Sequence, residues 1–459
     1  MKDKVKFAFI GAGSVSFCPE TITDILKSEL FKQVDVEICL MDKLRDPLDL
    51  SFGYCKEVAE YFKRKSVITA TTDLQKAVDG ADFVITAIEV NRYHYWSMDF
   101  HIPRRFGFRQ IYGENGGPGG MFHFLRNVGP LLEIAKAMGK GCPDALMLNY
   151  TNPEAKLIEA VAKLTKIKTV GLCHGVEMGM DQVSMLLGIP KNEIEAEGGG
   201  LNHFGWFTSI RRKSNGEDLY PLLREREKQI DRLWQWDNFA LSRLMLCTFG
   251  LWPYPGTNHI GEYISWSDEL LASAKLQFYY NPIEFNPWKD KRPVEFVYSI
   301  SKELSEKPMF RKEEPGDSGD AYAKSFTLGE RLPQGSAEYG IPIAEAVFFD
   351  KLKHFGAVNV LNHGFIPNVP DKMAVEVPAL ADGKGIHPKT IAPLPAAVAA
   401  MISQQGAIHQ LLIEAYQEKS KNKLLQALLI DPTLSNYYNA VELINVMCEM
   451  QKEILPELR

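Results

Sequence analysis

The chain lacks most of the features that would send it to a membrane, a nucleic acid or an oxidising compartment. Its seven cysteines, at 18, 39, 55, 142, 173, 247 and 448, are odd in number and form no CxxC pair. That argues against a disulfide framework and for reduced thiols in a cytoplasmic protein. Six of them read as small apolar residues, and only Cys173, beside His174, raises a chemical question. No apolar run reaches the roughly 18–20 residues of a membrane span. The opening MKDKVKFAFIGAG has lysines and apolar residues but no long hydrophobic leader and no cleavage site, so it reads as a first strand. A formal net charge of −6 leaves no basic footprint for nucleic acid. Internal repeats and low-complexity tracts are also missing.

What is present is ordinary globular material. The 459 residues are 45% hydrophobic and 24% charged, enough for a sizeable core and for two or three domains, or one nucleotide-binding domain with a large attached body. Apolar runs at Lys4–Ile10, Val34–Asp42, Ala81–Ile88, Asp144–Tyr150 and Ile167–Cys173 read as strands. Helical spacing fills the gaps, notably over Thr21–Phe31 and Leu44–Arg64. Strands alternating with helices imply βαβ units, hence an α/β fold with a Rossmann-like, doubly wound parallel sheet. The division expected is a nucleotide-binding domain over residues 1–195 and a C-terminal α+β domain over 196–459 that serves substrate binding and oligomerisation. Within the latter, Pro393–Pro432 has helical spacing with few breakers, and Arg311–Phe326 reads as a charged, turn-rich loop.

Gly11 and Gly13 follow the first strand and precede a helix, where glycine lets the backbone approach a pyrophosphate. The third glycine of GxGxxG is replaced by Ser16, so the motif is incomplete. Asp42 ends the second strand, where a carboxylate can bind ribose hydroxyls and favour NAD over NADP. Gly11, Gly13, Ser14, Val15 and Asp42 are therefore the candidate cofactor residues. The bland alternative is a doubly wound domain without nucleotide, with Asp42 a simple cap. NYTNPEA (Asn149–Ala155) and CHG (Cys173–Gly175) also sit at strand carboxyl ends, where such sheets bind ligands.

GAGSVSF, ENGGPGG (Glu114–Gly120), NYTNPEA, LCHG, GLNHFGW (Gly200–Trp206) and GEYISW (Gly261–Trp266) occur in an order that resembles glycoside hydrolase family 4. The segment Val358–Pro388 is similar too, so the likeness runs from about residue 5 to residue 430. It implies a lactate/malate-dehydrogenase-like fold and an enzyme dependent on NAD and a divalent metal, usually Mn2+. It also implies glycoside cleavage by C3 oxidation, elimination across C1–C2, water addition and re-reduction, not by paired carboxylates.

Carried onto this chain, the resemblance makes Cys173 and His203 the metal ligands, although cysteine with histidine would by softness point to zinc. It makes His174 a proton donor to the leaving oxygen or a group that recognises the sugar. Tyr263 becomes the base at C2, and Glu114 the carboxylate that raises its basicity. Asn152 and, more weakly, Asn202 become substrate hydroxyl contacts. Without the resemblance, His203 would read as a satisfied loop residue and Tyr263 as a strand aromatic packed on Trp266. His94, His259 and His387 read as structural or peripheral, and the aromatic run Leu251–His259 as a sugar-stacking wall or as core.

The tetrad CHGV resembles members acting on unphosphorylated α-glycosides, whereas ENGGPGG and NYTNP look closer to the α-galactosidase and α-galacturonidase branch. The expectation is a neutral or uronic α-hexoside, with Arg92 or Arg292 as possible partners of a sugar carboxylate. The expected partner is a small carbohydrate, not a membrane or nucleic acid, and family members are commonly homodimers or homotetramers. Two rivals stand. One is an ordinary NAD-dependent hydroxy-acid or sugar dehydrogenase, which would leave Cys173 and His203 without a role. The other is a non-catalytic sugar or redox sensor, which would not need Tyr263, Glu114 and the metal pair together.

Overall fold

The β-branched and aromatic runs of the N-terminal third become neighbouring parallel strands because their later residues are apolar on both faces, with the more exposed Ser66–Thr71 at the sheet edge. In this computed structural model, β1 (Lys4–Ile10), β2 (Asp35–Met41), β3 (Ser66–Thr71), β4 (Phe83–Thr86), β5 (Leu146–Asn149) and β6 (Lys168–Gly171) pair in the order 3-2-1-4-5-6. The structure describes residues 2–15, 17–229, 239–267, 275–278, 296–299, 328, 333–336, 338–434 and 436–459. Arg292, Ser16 and the segment 311–326 lie outside the described residues.

The helices between these strands are α1 (Cys18–Lys27), α2 (Arg45–Tyr61), α3 (Leu74–Val78), α4 (Arg92–Arg105), α5 (Gly117–Gly141) and α6 (Glu154–Leu164). They cover both faces. Phe7, Phe9, Ile38 and Leu40 pack in one core with α1 and α2, while Ala8, Ile10, Cys39 and Met41 pack in another with α5. This is the expected Rossmann-like doubly wound sheet of a dehydrogenase-like fold.

The sheet does not stop at β6. After α7 (Gly175–Leu187) come β7 (Ile194–Leu201) and β8 (Phe204–Arg212), then α8 (Tyr220–Gln229), α9 (Ala240–Phe249) and α10 (Thr257–Gly261). Strands β9 (Lys275–Phe278) and β10 (Phe296–Ser299) form a separate antiparallel ribbon. Helix α11 (Gly340–Phe349) leads to β11 (Lys353–Leu361), β12 (Ala374–Asp382) and β13 (Gly385–Pro388). Strand β11 pairs antiparallel with β6, and the sheet continues through β12, β7 and β8, with β13 on β12. Three helices close the chain: α12 (Ala396–Glu418), α13 (Lys421–Leu429) and α14 (Tyr437–Met450).

The helical run read over Pro393–Pro432 is thus two helices. Lys419, at φ 53°, takes the left-handed conformation that ends α12, and Ser420 caps α13 by accepting from Lys423 N at 3.2 Å. No described helix is long and apolar enough to cross a membrane.

One buried ion pair fastens α4 to α5 and to the C-terminal segment. Arg126 Nη1 donates to Asp99 Oδ1 at 3.0 Å and to Gln451 Oε1 at 2.8 Å, with both ionic side chains at most 1% exposed. Arg126→Ala leaves the Asp99 carboxylate buried without its counter-charge, so denaturant unfolding should show a loss of about 3–5 kcal/mol. Arg45→Ala, which removes a surface pair with Asp49, should cost roughly 0.5 kcal/mol or less.

Candidate active site

The carboxyl ends of the parallel strands open onto two joined hollows. The first, about 720 Å³, is lined by Gly11, Gly13, Ser14, Val15 and Asp42. Gly11 has φ +92°, and a Cβ there would stand 2.3 Å from the carbonyl oxygen of Ala87, so the turn before α1 needs glycine to rest on the end of β4. Asp42 accepts from Gly13 N at 2.8 Å and from Leu44 N at 3.0 Å, which fixes its carboxylate at the rim. All five residues picked from sequence for the cofactor therefore meet in one groove. A fixed carboxylate beside a glycine turn is the arrangement that receives a ribose diol next to a pyrophosphate.

The second hollow, about 350 Å³, falls within the common range for small-molecule sites, about 300–1,000 Å³. It shares Ser14, Ala87, Ile88, Glu89 and Arg92 with the groove. Glu114, Asn152, Cys173, His174 and His203 line it, joined by Tyr112, Tyr150, Thr151, His259 and Glu338. The loop carrying Glu114 is held by Glu262, whose carboxylate accepts from Glu114 N at 2.6 Å and from Asn115 N at 3.1 Å. Arg92 donates to Glu114 at 2.6 Å and reaches Glu89 at 3.5 Å, and His123 meets Glu89 at 2.7 Å. Burial opposes the charges, but Arg92 keeps Glu114 below the usual carboxylate range, and His123 then Arg92 hold Glu89 down at about 2.

His203 occupies the two-residue turn between β7 and β8, with φ 61°, an uncommon conformation for a side-chain-bearing residue. Its ring stacks on His259 at 4.2 Å between centroids, and its Nδ1 is buried without a partner among the described residues. Burial first, then the neighbouring imidazole, pushes His203 well below its ordinary value, and burial brings His259 to about 4. Both rings are thus neutral, the form that ligates metals. Glu114, His203 and His259 offer ligand atoms all within 4.8 Å of one another. Two imidazoles and a carboxylate form a set that suits a first-row divalent cation. Cys173 faces the same cavity from the turn after β6 but is not in that set; burial, then Glu338 and Glu376, push its thiol well above the usual range. His259, read as structural from the sequence, thus belongs to the cavity, because the short α10 aims its ring at His203.

His174, next along, is half exposed into the cavity, and its Nδ1 donates to Glu338 Oε1 at 3.0 Å. That hydrogen bond raises the imidazole above its ordinary value, against the pull of burial. Asn152 lines the cavity, and its carbonyl accepts from Asn127 at 2.8 Å. Asn202 and Tyr263 do not line it. Asn202 is buried beside Cys173 and Glu376, and Tyr263 is buried behind the hairpin. The Tyr263 hydroxyl donates to Asn202 O at 3.4 Å, and its ring stacks on Phe204 at 5.0 Å. Tyr263 follows α10 and is not in a strand, and burial pushes its phenol well above the ordinary value. From the run Leu251–His259, Trp252 and Tyr254 are fully buried, so the wall is core and only His259 reaches the cavity. His387 pairs with Asp382 on the exposed β13, away from the cavity.

Glu338, Glu89 and Glu262 escaped the sequence reading. Glu89 follows β4 at a carboxyl end, which is a usable signal; Glu262 adjoins Tyr263; Glu338 carries none.

Residues 6–189 match the family described as family 4 glycosyl hydrolase, and residues 199–434 match the family 4 glycosyl hydrolase C-terminal domain. The chain belongs to glycosyl hydrolase family 4. It is 32% identical to an alpha-galactosidase of Bacillus subtilis (strain 168), over 97% of this chain and 96% of that one. It is 29% identical to an alpha-glucosidase of Erwinia rhapontici, over 99% of each. A solved 6-phospho-alpha-glucosidase from gut microorganisms, in complex with NAD and Mn2+, superposes with a TM-score of 0.79 at 24% identity, covering 99% of this chain and 100% of that one.

Two measurements test this glycosidase's site. Calorimetric titration with Mn2+ should show one strong site, and His203→Ala should weaken it by about 100-fold or more, the loss that removing even an outer partner can bring. His259→Ala should do the same if the Glu114–His203–His259 set is the cradle, whereas Cys173→Ala should do so if the thiol is a ligand. His174 titration, followed by NMR of the imidazole, should lie above the ordinary 6.5 and fall in Glu338→Gln. Because the folded value is the higher one, this pair's contribution to stability is complete below about pH 6.5 and is lost as pH climbs through the folded pKa.

Proposed function

We propose that this family 4 glycosidase hydrolyses an unphosphorylated α-hexoside, neutral or uronic, with NAD and a divalent cation, Mn2+ in the first instance. The observation that carries the reading is the common wall: the groove and the cavity share Ser14, Ala87, Ile88, Glu89 and Arg92, so ligands in the two hollows would lie against one wall. A hydride can pass only between groups in contact. The 6-phospho-alpha-glucosidase solved with NAD and Mn2+ supports the choice of cofactors.

Gly11, Gly13, Ser14, Val15 and Asp42 would hold NAD, which supplies acceptance and return of hydride at the sugar's C3. The residues present also fit a cation: His203 has a buried, unpartnered ring nitrogen, and Glu114, His259 and Cys173 stand around it. Such a cation would supply Lewis-acid polarisation of sugar oxygens and a positive field on nearby acids. Asn152 orients sugar hydroxyls from the cavity wall, and Asn202, in the hairpin turn, lies beside Cys173 and Glu376. His174, kept protonated by Glu338, delivers a proton to the leaving oxygen. Tyr263 is assigned the C2 proton and Glu114 the support of its basicity. Its phenol abuts the carbonyl preceding His203, and burial alone would keep it protonated.

Arg92 is the only arginine or lysine lining the cavity among the described residues, and Glu114 and Glu89 engage it. That favours a substrate without a phosphate. We further assign the cofactor to residues 1–195 and substrate binding and assembly, as a homodimer or homotetramer in the cytoplasm, to residues 196–459.

The test is a panel of p-nitrophenyl α- and β-glycosides and uronides, with and without 6-phosphate. Release from an unphosphorylated α-glycoside should vanish when NAD or Mn2+ is left out, and NADH should not accumulate. NADH accumulating without release would instead make the protein a dehydrogenase.

A further inference from the structure

The cavity wall contains a carboxylate with one oxygen that the reaction outlined above leaves unused. Glu338 lies in the wall with its side chain 6% exposed. One carboxylate oxygen, Oε1, accepts from His174 Nδ1 at 3.0 Å. The other, Oε2, is buried and has no partner among the described residues. The His174 bond holds the carboxylate, and the backbone behind it is anchored. Glu338 N donates to Ser336 Oγ at 3.2 Å, and Ser336 donates through N and Oγ to Asp24 on α1, at 2.9 and 2.6 Å.

A buried carboxylate oxygen without a donor is costly, and Glu338 lies in the cavity wall, so a donor that enters the cavity can relieve that cost. A sugar hydroxyl provides it, as a charge-assisted hydrogen bond. A sugar carboxylate or phosphate provides none and meets a like charge. Glu89 and Glu114 add two more carboxylates to the lining, and Arg92 is committed to them.

Resting on the reading of this cavity as the sugar site, we propose that Glu338 is a specificity-determining residue. It accepts a hydroxyl of a neutral hexose through Oε2 and excludes hexuronates and 6-phosphohexoses. This narrows the substrate from a neutral or uronic hexoside to a neutral one.

The test is calorimetric binding of free galactose, glucose, galacturonate, glucuronate and glucose 6-phosphate to the NAD- and Mn2+-loaded protein and its Glu338→Gln variant. Because Glu338→Gln also lowers the His174 imidazole, binding is measured at several pH values and the preference between sugars is compared within each. Glutamine preserves shape and can still accept from His174 through its amide oxygen. The wild type should bind a neutral hexose in preference to every anionic sugar, and Glu338→Gln should shrink that preference by about tenfold or more. A residue that merely positions His174 would weaken all five sugars alike and leave the ratio unchanged, which overturns the proposal. So does a wild type that prefers an anionic sugar. Because free sugars report binding alone, an absence of glycoside release would fall on the proposed chemistry and not on this assignment.

Discussion

A single transverse row of residues carries the site. At the carboxyl ends of the parallel strands, Thr71, Met41, Ile10, Thr86, Asn149 and Gly171 are mutual neighbours in register. The row then crosses into the antiparallel half through Asn359, Glu376, Gly200 and Gly205. Strand pairing fixes these neighbours, since a slip of one residue would turn every side chain to the opposite face. The next residues along β1, β2, β4, β5, β6 and the β7–β8 hairpin are therefore bound to cluster. They include Gly11, Asp42, Ala87, Tyr150, Cys173 and His203, and each faces one or both hollows. The row has almost no bulk at its centre. A Cβ on Gly171 would fall on the Glu154 carboxylate, and one on Gly205 would fall 2.0 Å from the Tyr254 hydroxyl. That hydroxyl bonds Glu376, which also accepts from Asn359 at 3.0 Å. The join between the two halves is thus a polar, close-packed seam directly beneath Cys173 and the His203 turn.

Above that seam, burial sorts the ionisable groups into two kinds. For His203, His259 and the Cys173 thiol burial is the largest influence, outweighing even Glu114 beside His259, and it favours their neutral forms. Glu89 and Glu114 are just as enclosed, but Arg92 and His123 keep them ionised. Neutral donors and fixed carboxylates on facing walls suit a cation. Glu262 contributes from outside the cavity, by holding the backbone of the Glu114 turn with its carboxylate.

The sequence made the first half of the molecule legible because its signals are local. A strand of two apolar faces, a glycine turn and a terminal Asp42 lie within 40 residues, and the structure places them as read. The metal-side cluster is a different case. His203 and His259 are 56 positions apart in number, and only the packing of α10 against the β7–β8 hairpin stacks their rings. No periodicity encodes that contact, so His259 looked structural. Glu338 reaches His174 across 164 positions through a segment anchored on α1 by Asp24. The aromatic run at Leu251–His259 left wall and core both open for the opposite reason: rings that suit a sugar face suit a glycine-lined sheet equally well, and Tyr254 lies on Gly205.

The position of Arg92 shows how the two hollows become one device. It opens α4, directly beyond the end of β4, and lines both the groove and the cavity. Were it free, it would be the natural clamp for any anion entering either side. Its bonds to Glu114 and Glu89 prevent that, and through them it ties the loop before α5 to the loop after β4. Those two loops are the walls between which the proposed nicotinamide and sugar would meet. Hydride transfer falls off steeply with misplacement of the reacting atoms, so the one lining guanidinium among the described residues serves rigidity, not charge recognition. On the proposed reading, recognition then passes to the carboxylates, and anionic acceptors beside a guanidinium already engaged favour hydroxyls.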